Sequence, residues 1–306
     1  MMGDMPLVQV GQSCRHMLSE ALEVMATEGH EVRRSASVLE VSPSGFYAAR
    51  LRAPSARAVR QAWLTDLITE VHAESRGIYG APRVHAELRL GRGVVVGHNA
   101  VARLMRSAGL RGAMGPSKAR YRHQSPDVAD LVERNFVRQR PNELWVTDIT
   151  EHDTREGKVY CAVVLDTFSR RVVGWSIDTS PTAALTTNAL WMAIDSRRPN
   201  PGAVIHSDHG PQFTAWAFTH RAKASGLLPS MGSVGDCFDN AVIESFWSRV
   251  QVELLDRQRW RTRVELANAL FEYLEVFYNL SRRHSSLGMQ TPVEFEQNHH
   301  DPLAVA

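Results

Sequence analysis

The sequence predicts an α/β protein: a mixed β-sheet with helices packed on its faces, preceded by an all-helical, basic N-terminal half. Three observations predict this class. Up to about residue 110 the apolar positions recur at helical spacing. From residue 141 the texture changes to β-branched apolar runs of strand length. After three such runs helix and strand alternate, which implies a mixed sheet.

Taken in order, "HMLSEALEVMAT" is amphipathic and "RRSASVLEV" gives a second short helix. "SPSGFYAARLR" starts a third, with Ser42 as N-cap and Pro43 at the first helical position. Two short helices, a tight turn and a helix ending in Arg50 and Arg52 follow helix-turn-helix grammar, although any three-helix bundle has the same outline. "LRAPSARAVRQ" is a joint, "AWLTDLITEVHAES" a helix, and "YGAPRVHAELRL" opens another with Pro82 in its first turn. "HNAVARLMRSAGL" sets Val101, Leu104, Met105 and Ala108 on one face, with Arg103 and Arg106 off it and Gly109 placed to end it. Residues 98–107 are thus the helix that would meet DNA in a second helix-turn-helix unit. The stretch 112–140 has little periodicity and reads as a linker.

"ELWVTDITEHDT", "KVYCAVVLDTFSR" and "RVVGWSIDTS" are expected as three antiparallel strands joined by tight turns. "PTAALTTNALWMAIDSR" is helical, "GAVIHSDHG" a short buried strand, "AWAFTHRAKASG" a helix and "LLPSMGS" a further strand. The boundaries expected are 1–55 for the first helical segment, 56–122 for the second, 123–140 for the linker, 141–297 for the α/β core and 298–306 for a tail.

Composition narrows the function classes. No apolar run approaches the roughly 20 residues of a membrane span, and the N-terminus has no signal-peptide pattern. Cys14, Cys161 and Cys237 are odd in number and form no CxxC, so zinc and disulfide frameworks are poorly supported and a reducing cytoplasm is the simplest home. The net charge of +2 conceals a division: residues 1–138 hold 19 Lys/Arg against 13 Asp/Glu, the remainder 16 against 20. Residues 88–126 carry eight basic side chains (Arg89, Arg92, Arg103, Arg106, Arg111, Lys118, Arg120, Arg122) and no acid. Most such runs are solvated faces; here the run sits on a helix-turn-helix pattern, which favours nucleic acid.

Among the acids, Asp148 in "WVTDIT" and Asp208 in "VIHSDHG" each end or interrupt a strand. Taken singly, each reads as a turn-capping residue. In "SVGDCFDNAVIESFWSRVQ", Ile243, Phe246, Trp247, Val250 and Leu254 form an apolar helical stripe, and Glu244 sits at its border. Asp239 is placed to cap that helix, and Asp236 is loop. Two strand aspartates and a helix glutamate make a hard, all-oxygen donor set suited to Mg²⁺ or Mn²⁺. Such a set can hold two ions roughly 3.5–4 Å apart for in-line phosphoryl displacement.

Asp148, Asp208 and Glu244, with 35 residues between the last two, resemble the DD(35)E triad of RNase H-like transposases and retroviral integrases. "HSDHGPQFTA", "SMGSVGDCFDNAVIESFW" and "YNLSRRHSSLGMQTPVEFE" resemble the OrfB transposase of bacterial insertion-sequence-three elements, and "SRGIYGAPRVHAELR…NAVARLMRSAGLRG" resembles the helix-turn-helix segment before that family's core. The resemblance spans about residues 30–297. It implies an RNase H-like catalytic core and two-metal strand cleavage and strand transfer by Asp148, Asp208 and Glu244, without a covalent protein–DNA intermediate. It implies that residues 16–122 bind the element's terminal repeats, with Arg50, Arg52, Arg103, Arg106, Arg111, Lys118, Arg120 and Arg122 as the candidate DNA contacts, and that target DNA is a further partner. Arg282 and His284 match its C-terminal motif and are expected to contact DNA or the triad. Partners implied are an OrfA protein or frameshift fusion and further copies of the chain on DNA, in a bacterial, nucleoid-associated setting.

One departure stands out: Gln251 occupies the position, seven after Glu244, where the family usually has Lys or Arg. Asp166 is expected to make a turn contact with Arg170 or Arg171, His206 and His209 to hydrogen-bond near the strand end, and Trp145, Trp175 and Trp247 to be core. Two competing readings are a catalytically idle DNA-binding regulator of transposition and an RNase H-like nuclease or retroviral-type integrase. Intact carboxylates at all three positions weigh against the first. The basic helical half and the lack of a His/Cys zinc unit weigh against the second.

Overall fold

The computed structural model describes residues 21–51, 53–113, 138–231 and 241–299. The chain divides into two compact units, Met1–Leu64 and Thr65–Ala306. In the first, residues 21–27 are helical, followed by α1 (Val32–Val38) and α2 (Pro43–Leu51). Leu22, Ala36 and Phe46 form its small core, with Val32, Leu39 and Val41 packed on it. Ser42 caps α2 as expected, its Oγ accepting from the Gly45 N–H at 3.4 Å.

Helix α3 (Ala56–Glu74) enters the second unit at Thr65. Helix α4 (Ala81–Ala86) starts with Pro82 in its first turn and widens into a π-type turn over Glu87–Gly91. Helix α5 (His98–Ser107) buries Val101, Leu104 and Met105, and Gly109, at φ +69°, ends it. Ala108 is the capping residue and is exposed, so it leaves the apolar face expected of it. Arg92, read as part of the basic run that favours nucleic acid, instead joins Glu70 at 2.8 Å and Glu74 at 2.6 Å, tying the turn after α4 back onto α3.

The sheet has five strands in the order β3-β2-β1-β4-β5. These are β1 (Leu144–Thr154), β2 (Gly157–Asp166), β3 (Val172–Asp178), β4 (Val204–Ser207) and β5 (Leu228–Met231). The first three form the antiparallel meander expected; β4 and β5 run parallel to β1. Helix α6 (Ala183–Arg197), capped by Thr182, lies with the short α7 (Pro211–Thr214) and α8 (Trp216–Ala224) over one face. Trp145, Ala162, Val164, Val173 and Ile205 meet Leu185, Ala189, Ala193, Phe213 and Phe218 there. Residues of opposite parity, such as Val146, Val163 and Leu165, are just as buried, so the second face is covered too. Helix α9 (Ala241–Glu253) packs on β1, and α10 (Arg263–Phe271), which continues into a π-type turn over Glu272–Tyr278, packs on β2. The chain then closes through α11 (Pro292–Asn298), whose start is fixed by a reciprocal Thr291–Glu294 capping box.

The helical segment 65–113 is joined to the α/β core by interior polar contacts. Tyr79 donates its hydroxyl to the Ser281 carbonyl at 2.7 Å and accepts from the Arg283 N–H at 2.8 Å. Arg283 in turn binds Glu87 at 2.7 Å.

Candidate active site

Strand pairing sets the first two carboxylates. Leu144, Trp145 and Val146 pair with Val204, Ile205 and His206, and the same register continued two residues puts Asp148 beside Asp208. Both lie where buried strand gives way to polar chain. Asp148 is largely buried and its Oδ1 accepts from the Ile149 N–H at 2.8 Å. Asp208 is exposed, with Oδ1 accepting from the Gly210 N–H at 3.0 Å. Glu244 comes from α9, where Ile243, Phe246 and Val250 are buried against the core and Glu244 itself is exposed. Ile243, Phe246, Val250 and Leu254 of the stripe read from the sequence are buried, with Glu244 outside it, whereas Trp247, expected as core, is only half-buried.

Electrostatics tie the three together. Burial raises the Asp148 carboxyl to about 7, and the charges of Asp208 and Glu244 push in the same direction. The Ile149 N–H opposes this. So does the Trp247 indole, which faces Asp148 without reaching full hydrogen-bond geometry. Among the described residues no lysine or arginine forms an ion pair with any of the three. Nor do any three His, Cys, Asp or Glu side chains form a ready-made metal cluster among the described residues. A mostly buried carboxylate with two more contributing charge and no ion-paired cation among the described residues is a charge arrangement that a divalent cation would relieve, and its oxygen-only donors suit Mg²⁺ or Mn²⁺.

Comparison with known proteins identifies the family. Family models described as Integrase core domain match residues 138–237 and 225–292, and one described as HTH-like domain matches residues 58–118. The transposase for insertion sequence element IS629 of Shigella sonnei is 37% identical over 85% of this chain and 90% of its own length. Transposase InsF for insertion sequence IS3A of Escherichia coli K12 is 35% identical over 87% of this chain and 93% of its own. The chain belongs to the IS3-type insertion-sequence transposases.

As a member of this family the transposase is a polynucleotidyl transferase that carries out DNA transposition, and its sheet unit is an RNase H-like integrase core. Among solved structures, it resembles a chain of the simian T-cell lymphotropic virus intasome in complex with a PP2A regulatory subunit, at 17% identity and a TM-score of 0.45 over 71% of this chain and 74% of that one. It also resembles the HTLV-2 integrase catalytic core domain in complex with magnesium, at 23% identity and a TM-score of 0.37 over 53% of this chain and 98% of that one. Among the described residues no helix of the transposase is long and apolar enough to cross a membrane.

The other residues singled out in the sequence fall into three groups. Arg103, Arg106 and Arg111 are exposed on and just after α5. Arg50 ends helix α2, while Arg52, Lys118, Arg120, Arg122, Asp236, Cys237, Asp239 and Asn240 lie outside the described residues. Arg282 and His284 require correction. Both are buried, at 3% and 7% exposure, in the wall of a pocket beside α9, and Arg282 is engaged by a protein carboxylate. The Arg282 guanidinium grips Glu253 with two bonds of 2.7 Å, Nε to Oε2 and a terminal nitrogen to Oε1. Asp166 makes the turn contact expected with Arg171 through its backbone, its N–H donating to the Arg171 carbonyl at 2.9 Å, while its carboxylate accepts from the Asn142 N–H at 2.7 Å and the Phe168 N–H at 2.9 Å, with Arg197 at 3.9 Å. Its burial raises its carboxyl to about 6.

His206 does hydrogen-bond beside the strand end, through Nδ1 to Ser230 Oγ at 3.0 Å. Trp145 is core. Trp175 is only half-buried and gives its indole N–H to Glu275 at 2.6 Å. Gln251 bonds Asp256 within its own segment.

Sequence reading missed the polar interior behind α9. Glu253 is 4% exposed and collects Arg282, the Tyr273 hydroxyl at 2.8 Å and Arg83 at 3.2 Å. Burial opposes its charge, but Arg282 wins and holds the Glu253 carboxyl below its ordinary value. One signal was available: Glu253 interrupts the apolar stripe between Val250 and Leu254, and a buried carboxylate demands a partner. A second such centre is Glu296, which accepts from Arg197 at 2.8 and 2.9 Å, Arg171 at 2.7 Å and Ser169 at 2.8 Å.

Proposed function

We propose that Asp148, Asp208 and Glu244 form the catalytic site with which this transposase cuts transposon-end DNA and joins it to a target strand. What carries the reading is the field at Asp148: a mostly buried carboxyl, raised to about 7 with two other carboxylates contributing and no ion-paired cation among the described residues. Asp148 on β1, Asp208 just past the end of β4 and Glu244 on α9 would together hold divalent cations. Bound Mg²⁺ or Mn²⁺ supplies neutralisation of phosphate charge and activation of the attacking oxygen.

The chain's own groups do the rest. The β1–β4 pairing, whose last pair is Val146 with His206, supports a site in which Asp148 and Asp208 share one end of the sheet. The buried stripe of α9 fixes Glu244, and Trp247 limits water on the Asp148 side. Strand cleavage breaks a phosphodiester P–O bond by attack of water and leaves a 3′-hydroxyl. Joining uses that hydroxyl to attack a second phosphodiester, displacing the 3′-oxygen of the target strand, so phosphodiester bonds are conserved in that step. Residues 16–122, with Arg103, Arg106 and Arg111 exposed on them, would bind the element's ends. The proposal extends to several copies assembled on DNA and to an OrfA partner, as family membership suggests.

The test is Glu244→Gln: the variant is expected to retain binding to end DNA and lose Mg²⁺-dependent cleavage and joining. Undiminished cleavage would remove Glu244 from the site.

A further inference from the structure

A pocket of about 390 Å³ opens beside α9, the helix that carries Glu244. Four arginines from four separate stretches line it: Arg83 of α4, Arg170 of the β2–β3 turn, Arg249 of α9 and Arg282 after the α10 turn. Among the described residues that line it there is no Asp or Glu. Glu253, behind the wall, satisfies Arg282 and reaches Arg83 at 3.2 Å. Arg170 and Arg249 have no carboxylate partner among the described residues.

Arg170 is the informative member. It is half-buried, burial lowers its pKa, and Tyr278 is what acts against that effect. A partly desolvated guanidinium with no carboxylate partner among the described residues favours a bound anion. The cations converge: burial drives His284 well below its ordinary pKa, and Arg282, Arg83 and Arg170 all add to the effect.

The pocket does not stand alone. A larger groove of about 1210 Å³, lined by Arg106 and Arg111 of the α5 region, shares Arg83, Arg249 and Ser285 with it. The two openings form one basic track from α5 to α9.

We propose that Arg170, Arg249 and Arg83 form a binding site for a backbone phosphodiester of DNA, which holds a strand that runs from the α5 helix toward the Glu244 helix. This rests on the reading above that the chain acts on DNA. Ser245, Ser285 and Ser286 supply hydroxyl donors around the arginine forks. Arg249 lies one turn after Ser245 on α9, so the track meets that helix on a cationic face although Gln251 carries no charge.

The experiment measures binding of the full chain to a short duplex of arbitrary sequence by fluorescence anisotropy across a range of NaCl concentrations. Arg249→Gln and Arg170→Gln should each lower the slope of log affinity against log salt by about one. Each should also weaken binding roughly three- to tenfold near physiological salt. Arg249 is exposed, so its variant should keep the wild-type melting temperature and separates a binding effect from a folding one. Wild-type slopes in both variants would overturn the pocket while leaving the catalytic reading intact. Stabilisation by inorganic phosphate that Arg249→Gln abolishes, with DNA slopes unchanged, would overturn its assignment to DNA. Failure of the wild-type chain to bind any duplex would instead overturn the DNA reading, and the pocket with it.

Discussion

Asp148 is held at a cost to stability. Its carboxyl is at about 7 in the folded chain against 3.8 as an ordinary aspartate. Between those values the folded state keeps a proton that the unfolded state has lost. Stability therefore falls as pH rises through that window, and the whole penalty is present above about pH 7. Asp148→Asn should raise the melting temperature of the metal-free protein by several degrees near pH 8, on the order of 2–4 kcal/mol, and by almost nothing near pH 4. Equal melting curves at both pH values would show that Asp148 is not under this strain. Glu253 is the opposite case, since its charge is satisfied. Glu253→Gln leaves Arg282 buried without a counter-charge and should destabilise by about 3–5 kcal/mol in chemical denaturation. A loss below about 1 kcal/mol would mean that the network relaxes into water.

At the scale of elements, helix α6 lies so close to β3 that a side chain on Gly174 would collide with the Ala189 carbonyl and the Ala193 backbone. Gly174→Ala should therefore cost about 1–3 kcal/mol through displaced backbone, read as a lower denaturation midpoint with an unchanged m-value. An unaffected midpoint would contradict the packing. The elements themselves were largely legible in the sequence: β1 to β5 announce themselves as apolar, β-branched runs and α6 and α9 as helical stretches, and Ser42 and Gly109 mark helix ends. Asp148 and Asp208 were legible as polar interruptions of apolar strands, but the pairing that makes them neighbours is a long-range fact. The role of "YNLSRRHSSLGMQTPVEFE" was not legible. Its Asn279 bonds both the N–H and the carbonyl of Val172, at 3.0 and 2.9 Å, its Arg282 and Arg283 face inward, and its Glu296 gathers Arg171 and Arg197. Charged residues look like surface in a sequence because their partners, Glu253 and Glu87 among them, lie far along the chain.

At the scale of the molecule, the helical segment from Thr65 and the integrase core form one compact unit. Tyr79, Arg83 and Glu87 complete hydrogen bonds and ion pairs that begin on Ser281, Glu253 and Arg283. A fragment starting at residue 138 should melt well below one starting at residue 65, because it leaves Arg283 and Glu253 with partners missing. Equal melting temperatures would show that the core stands without its helical segment. The account's central claim is that Asp148, Asp208 and Glu244 make one cation site on this framework. It is tested most directly by titrating Mn²⁺ into the full-length protein and counting bound ions by electron paramagnetic resonance. The wild type should bind Mn²⁺ that Asp148→Asn fails to bind, with Asp208→Asn and Glu244→Gln each reducing the count. An undiminished count in all three variants would contradict it.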